Sequence, residues 1–452
     1  MEPVFNIDEV INDRTVAPAA ETTPADDVKK ITPKLRTDQH IWGIYIFLLI
    51  VSVIELFSAS SQEVEVNDIY GPIIRHARFL AIGLVLMLVI QRFHFKYIYK
   101  LTPLYVFGSI MAMFLVMATG VRVNGAQRAL QFGSIMILPA EFLKLAAALG
   151  IAYILSRNQM PGKRDVTTKG IVMSAGLTLL CAGLLFSHGL TNTLLIFAIS
   201  MSMMLIGGVG MKKFGYVCLV YLVIGSAAMG YKLWQNKDKA PTAEAIEMAE
   251  LNKEEVGESA KNRSATWMAR LERHFRLNKA GDKIDDTNKQ EQLSYIAQAH
   301  GGILGVGPGN SRENARLPLA FSDYIYAIVI EELGLIAGIF ILMCYLWLLA
   351  RAGRVATKCK QTFPCLLVIG CAIYIVYQAL FHMAIVTGLF PVSGQPLPLI
   401  SKGGTSVIVT SIALGIMLST SRHAAFKGDK EAIREELNTL PSSIHSENPS
   451  QL

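Results

Sequence analysis

Three groups of polar residues interrupt an otherwise apolar chain, and their types suit the handling of an anion. In Pro139-Ala-Glu141-Phe-Leu-Lys144 the two charged residues are spaced i,i+3. On a helix they share a face and can pair. Ionisable groups inside an apolar helix face a cavity or a partner, so two roles stay open: an ion pair that joins helices, or direct contact with a substrate. Gly125-Ala-Gln-Arg128 stands just upstream. The second group opens with Gly301-Gly302 and Gly305-Val-Gly307-Pro308-Gly309-Asn-Ser311. Backbone N–H groups of such a turn could approach phosphates. No Gly-Lys-Ser/Thr follows, so this is not a P-loop, and a plain turn is the simpler reading. Asp323 stands where the next apolar run begins and could cap a helix. Glu331 and Glu332 lie about two turns further in, a depth that favours a polar interior. The third group is Gly388 to Ser406, with three prolines and four glycines between apolar runs. Proline removes a backbone donor and glycine weakens helical preference. Irregular backbone at membrane depth survives only when buried in protein or lining a wet cavity. Lys402, the one basic residue there, could neutralise a phosphate or snorkel to an interface.

These residues need elements to hold them. The 452 residues are 52% hydrophobic and 17% charged, too apolar for an ordinary soluble enzyme. Ten apolar runs are long enough to cross a bilayer as helices: 41–60, 76–93, 101–119, 139–156, 170–187, 190–210, 214–234, 323–350, 363–387 and 403–420. The expected fold class is therefore all-α, a polytopic membrane protein with ten transmembrane helices. Lysine and arginine gather in alternate connections, among them Lys29–Arg36, Arg92–Lys100, Arg157–Lys169, Lys212-Lys213 and Arg351–Lys360. The positive-inside rule then puts both termini in the cytoplasm. It leaves the large segment 235–322, between the seventh and eighth runs, outside the cell membrane. Within that segment Glu244–Lys261 reads as an exposed helix. The expected organisation is a disordered cytoplasmic tail at 1–40 without a signal peptide, a membrane domain at 41–421, and a cytoplasmic tail at 422–452. The net charge of +7 sits at the ends of apolar runs, which argues against nucleic acid. The six cysteines lie in or beside the runs, without zinc-finger spacing or a disulfide framework.

Together the three groups resemble the SEDS family (shape, elongation, division and sporulation), the FtsW/RodA/SpoVE group. The family's Gly-Ala-x-Arg and Pro-Ser-Glu-Phe-x-Lys are similar to Gly125–Arg128 and Pro139–Lys144, with Ala140 in place of the serine. Its Thr-Asp-Phe-Ile-Phe-Ala…Glu-Glu-x-Gly resembles Ser322–Gly334. Its Thr-Gly-x-x-Pro-x-x-Gly-x-x-Leu-Pro-x-x-Ser-x-Gly-Gly-Ser-Ser resembles Thr387–Ser406, with Lys402 where tyrosine is common. Leu190-Thr-Asn-Thr193 stands where Pro-Asp-Leu-Gly-Thr is common. The resemblance spans about residues 40–422. The N-terminal tail and Ser401-Lys-Gly-Gly-Thr-Ser406 lean toward the division-type branch.

The resemblance implies a peptidoglycan glycosyltransferase. Its substrate would be lipid II, a disaccharide-pentapeptide on undecaprenyl pyrophosphate. The disaccharide joins a growing glycan strand on the periplasmic face of the bacterial cytoplasmic membrane, and the lipid pyrophosphate leaves. Implied partners are a class B penicillin-binding protein, other divisome proteins and membrane lipid, with no nucleic acid. The attacking sugar hydroxyl needs a carboxylate base, and the leaving group needs positive charge. The family's base is an aspartate of the large outer loop. Matching Gln290 and Gly301-Gly302 to the family points to Asp286, with Asp285 next, although Lys289 stands where the family has tyrosine. Arg122, Arg128, Lys144 and Lys402 are the candidate pyrophosphate or cavity residues, and Glu141 would orient Lys144. Asp323, Ser401, Gly403 and Gly404 complete the implied substrate-binding set. No metal ligands are read from the sequence; Mg2+ or Mn2+ is the cofactor the chemistry would accept. A lipid II flippase and a non-catalytic divisome scaffold are the rival functions.

Overall fold

In lipid a chain must satisfy its own backbone N–H and C=O groups, which makes long apolar runs helical. The computed structural model describes residues 37–59, 71–123, 126–132, 135–160, 165–186, 189–237, 288–317 and 319–424, with isolated positions 434 and 438. All of them belong to the unit Thr37–Leu452, and residues 1–36 lie outside the described residues. In chain order the helices are α1 (Gln39–Ala59), α2 (Gly71–Ile90), α3 (Phe95–Thr119), α4 (Pro139–Arg157), α5 (Thr168–Phe186), α6 (Leu190–Ile206) and α7 (Met211–Lys237). Then follow α8 (Lys289–Gly301), α9 (Ile325–Lys358), α10 (Thr362–Val386) and α11 (Gly404–His423). Among the described residues six of these, α3, α4, α5, α9, α10 and α11, are long and apolar enough to cross a membrane. The chain is thus a mostly helical polytopic membrane protein. The other four predicted runs coincide with α1, α2, α6 and α7.

The all-α expectation meets an exception between α3 and α4. Strands β1 (Val121–Val123), β2 (Ala126–Phe132) and β3 (Ile135–Ile137) form an antiparallel meander in the order β1-β2-β3. Arg122 pairs with Gln127, and Gln131 with Met136. The connections are Asn124-Gly125 and Gly133-Ser134, residue pairs that favour the tight turns of two-residue hairpins. Strands of three to seven residues carry too few apolar positions to stand out beside twenty-residue helical runs.

Burial separates the helices into a centre and a rim. In α10 and α11, 83% of the apolar window is buried, against 22% in α3. The centre is α4, α10 and α11, and small residues let these helices approach neighbours closely. Gly83 of α2 faces Ser411 of α11, Gly415 of α11 faces Ile90 and Met87 of α2, and Gly370 of α10 faces Met203 of α6. Helix α9 has 34 residues, about 51 Å at helical rise, more than the ~30 Å hydrocarbon core. It is broken at Gly334, whose φ is 87°.

Candidate functional site

At the centre of the molecule Lys144 is fully enclosed, and its ammonium meets three acceptors. Glu141 Oε1 lies at 2.7 Å, Gln378 Oε1 at 3.2 Å and Gln395 Oε1 at 3.4 Å. Three donors is the full complement of a lysine. The i,i+3 pairing read from the sequence is therefore present. The second oxygen of Glu141 accepts from Tyr374 OH (3.4 Å) and Gln378 Nε2 (3.2 Å). That amide nitrogen also lies 3.3 Å from both Pro396 O and Ser406 Oγ. Gln395 Nε2 donates to Asn192 Oδ1 at 2.9 Å. The Gln395 carbonyl lies 2.6 Å from His382 Nδ1. A carbonyl only accepts, so the His382 proton sits on Nδ1. Buried charges need both a partner and saturated hydrogen bonds, and here the saturation comes from α10 and the Pro/Gly segment. The network ties α4, α6, α10 and α11 to residues 395–396.

Gln378, Tyr374 and His382 escaped the sequence reading. Their signal was there: Tyr374, Gln378 and His382 recur at i, i+4, i+8 in α10, which places three polar groups on one face of an apolar helix.

The Pro/Gly segment is fixed from several sides. Leu397 N donates to Ser401 Oγ, and Ser401 Oγ donates to Ser322 O, each at 2.7 Å. Lys402 N donates to Phe321 O at 3.0 Å. Lys402 Nζ stands 4.8 Å from the Phe321 ring centroid. Tyr345 OH donates to Pro398 O at 2.5 Å. Two leucines, Leu319 (φ 59°) and Leu399 (φ 67°), adopt left-handed backbone, which costs a non-glycine residue energy that surrounding contacts must offset. A Cβ at Gly394 would stand 2.7 Å from Asp323 Oδ2. Asp323 does not cap α9 as expected: Tyr324 takes the N-cap position, without a side-chain bond. The Asp323 carboxylate instead abuts the segment. Gly404 abuts the Phe79 ring of α2, and Gly403 takes the N-cap position of α11.

The sheet joins this end of the bundle through Thr405. Leu138 N donates to Thr405 Oγ1 at 3.1 Å, and Thr405 Oγ1 donates to Met136 O at 3.4 Å. Arg122 and Arg128 therefore belong to a sheet anchored at the start of α11; their side chains lie outside the described residues. Asp285, Asp286 and the segment Glu244–Lys261 also lie outside them. The chain re-enters at Asn288, and α8 docks on the end of α10. Ser294 Oγ and Gln298 Nε2 donate to Val386 O at 3.0 and 2.9 Å. Tyr295 OH donates to Glu291 at 2.7 Å. Burial and the Glu291 carboxylate push the Tyr295 phenol above its ordinary value.

Three N–H groups of the glycine-rich turn after α8 are taken by protein carbonyls. Gly305 N, Val306 N and Gly307 N bond Gly301 O, Glu331 O and Glu332 O at 2.8, 3.0 and 2.9 Å. Leu335 N in turn donates to Gly302 O at 3.1 Å. The turn fills the break in α9 and satisfies its backbone. Glu331 accepts from Arg312 N (3.0 Å), from Ser311 Oγ and, at 2.8 Å, from His300 Nδ1. Glu332 accepts from Ser58 of α1. Glu55, one turn earlier in α1, is buried with both oxygens unpartnered among the described residues. Among the described residues no group of three His, Cys, Asp or Glu could hold a metal ion.

The chain matches the family model of the FtsW/RodA/SpoVE cell cycle proteins over residues 38–425. It is 27% identical over 408 residues to a probable peptidoglycan glycosyltransferase FtsW of Aromatoleum aromaticum, covering 87% of this chain and 89% of that one. It is 28% identical over 404 residues to stage V sporulation protein E of Bacillus subtilis, covering 87% and 100%. Its fold is similar to a chain of a peptidoglycan synthase complex solved for the structural coordination of polymerization and crosslinking, with TM-score 0.61, 22% identity and coverage of 86% and 98%. The chain belongs to the FtsW/RodA/SpoVE family of cell cycle proteins.

Proposed function

We propose that this protein is a peptidoglycan glycosyltransferase that polymerises lipid II into glycan strands. The observation that carries the reading is the convergence of distant segments at one end of the bundle. Thr405 fastens the sheet to α11, Ser401 and Lys402 fasten the Pro/Gly segment to 321–322, and α8 docks on the end of α10. The names of the relatives supply the reaction. Ten spans with both termini in the cytoplasm would put this end on the periplasmic face of the bacterial cytoplasmic membrane. The segment 235–322 would then stand outside, between the seventh and eighth spans.

In this reaction the Asp286 carboxylate takes the proton of the acceptor sugar hydroxyl. That oxygen bonds to the anomeric carbon of the donor, and the bond to pyrophosphate breaks with its electron pair on the leaving oxygen. Arg122, Arg128 and Lys402 supply positive charge to the pyrophosphate where it develops. Asp323, Ser401, Gly403 and Gly404 shape the wall beside it. Lys144 and Glu141 act at one remove, by holding Gln395 and Pro396 in place. Lysine at 402 brings a compact cation to a wall position. A class B penicillin-binding protein would crosslink the product, with other divisome proteins in attendance during division.

The test is polymerisation of lipid II by the purified chain in proteoliposomes. Asp286→Ala is expected to abolish polymer, with Asp285→Ala milder. Full activity of Asp286→Ala overturns the base assignment. Lipid movement between leaflets without any polymer from the wild-type chain overturns the reaction and favours transport. Depletion is expected to give filamentous cells; rounded cells would assign the protein to elongation.

A further inference from the structure

Helices α5 and α7 run in the same direction and leave a groove between them. It encloses about 420 Å3. Ile171, Ala175 and Leu179 of α5 face Val217 and Tyr221 of α7 across it, and its walls are almost wholly apolar. Tyr221 OH reaches Ala175 O at 3.5 Å and closes its floor. From Thr168 to Leu179 the groove follows α5 for twelve residues, a rise of about 16 Å. That is close to half of the ~30 Å hydrocarbon core. The groove therefore has the length of one leaflet, too short for a partner's spanning helix and suited to one acyl chain.

The chemistry at its mouth is basic. Thr168 and Lys213 line the groove where both helices begin. Lys213 Nζ donates to Asp165 Oδ2 at 2.5 Å and to Val166 O at 3.1 Å. A lysine has three donors, and the third has no acceptor among the described residues. Asp165 also accepts from Val166 N (2.8 Å) and Gly210 N (3.2 Å). Its negative charge is answered by Lys213. Lys169 and Lys212 are exposed, each next in the chain to a residue that lines the mouth. Three lysines against one aspartate leave two positive charges at the rim of an apolar slot.

We propose that this groove is a binding site for an anionic phospholipid. One acyl chain lies between α5 and α7, and the phosphate meets Lys213, Lys212 and Lys169. The site is separate from the candidate polymerisation site, at the end of the molecule where α5 and α7 start. An anionic lipid there would wedge α7 against α5 at a place where protein alone leaves a gap.

The experiment is native mass spectrometry of the full chain in detergent, with phosphatidylglycerol or phosphatidylethanolamine of identical acyl chains added. The wild-type chain is expected to retain phosphatidylglycerol preferentially. Each neutralised lysine is expected to weaken that preference about fivefold, as for a basic residue near an anionic surface. Lys169→Gln and Lys212→Gln are the variants; both are exposed and outside the polymerisation machinery, so lipid II polymerisation stays at the wild-type level. Gly176→Phe fills the groove, since a Cβ at Gly176 meets nothing within 4 Å, and is expected to lose both lipids. Equal retention of the two lipids would mean ordinary annular lipid and overturns the proposal. So does undiminished binding to Gly176→Phe, or displacement of phosphatidylglycerol by inorganic phosphate alone.

Discussion

Lys144 has no contact with solvent and still keeps three acceptors. A buried charge whose partner is removed costs about 3–5 kcal/mol. Lys144→Met is therefore expected to lower stability by roughly that amount, because Glu141 stays buried beside Tyr374 and Gln378 with no cation. Adding Glu141→Gln is expected to recover part of the loss. Thermal unfolding in detergent measures both; a Lys144→Met protein as stable as the native one would contradict the assignment. Gly394 makes a different residue-scale prediction. An alanine there meets Asp323 Oδ2 at 2.7 Å, so Gly394→Ala is expected to cut polymerisation at least tenfold, the consequence of a misplacement of about 1 Å at a catalytic wall. Its melting temperature is expected to change little, which separates a positioning effect from unfolding.

At the scale of elements, α9 is a helix broken on purpose. A Cβ at Gly334 would stand 2.3 Å from Ile303 O, and its φ of 87° already disfavours any side chain. Gly334→Ala is expected to destabilise by about 1–3 kcal/mol and to release the turn 301–309, read out as faster amide exchange at Gly305–Gly307. Exchange at the native rate would show that the interlock does not hold the turn. The loop before α5 makes a pH-dependent prediction. The hydrogen bond from Lys213, aided by Val166 N and Gly210 N, holds the Asp165 carboxyl below the usual range. A depressed folded value gives stability that is complete above the unfolded value, about 3.9, and lost as pH falls through the folded one. Asp165→Asn is expected to be less stable than the native chain at neutral pH, by a small amount for so exposed a pair, and equal to it in strong acid. A constant difference across the range would remove the carboxylate from the account.

At the scale of the whole molecule, one end gathers what sequence scatters. Residues 126–137, 294–298, 321–323 and 395–405 come together there. If that end polymerises lipid II, adding a class B penicillin-binding protein is expected to raise polymer yield, and the yield in paired assays checks it. The sequence by itself determined the long apolar helices, because in lipid a twenty-residue apolar run has no alternative that satisfies its backbone. It also determined the Glu141–Lys144 pair, because i,i+3 contacts are local, and the family, because its motifs are contiguous strings. The partners of that pair were settled only by tertiary structure. Gln378 and Gln395 are polar residues 234 and 251 positions away from Lys144, and no local periodicity brings such distances together. The role of the glycine-rich turn was settled in the same way. The N–H groups of Val306 and Gly307 could have faced a phosphate until the break at Gly334 supplied the Glu331 and Glu332 carbonyls that take them. A backbone donor goes to whichever acceptor the packed fold leaves unpaired, and that is a property of the assembled chain.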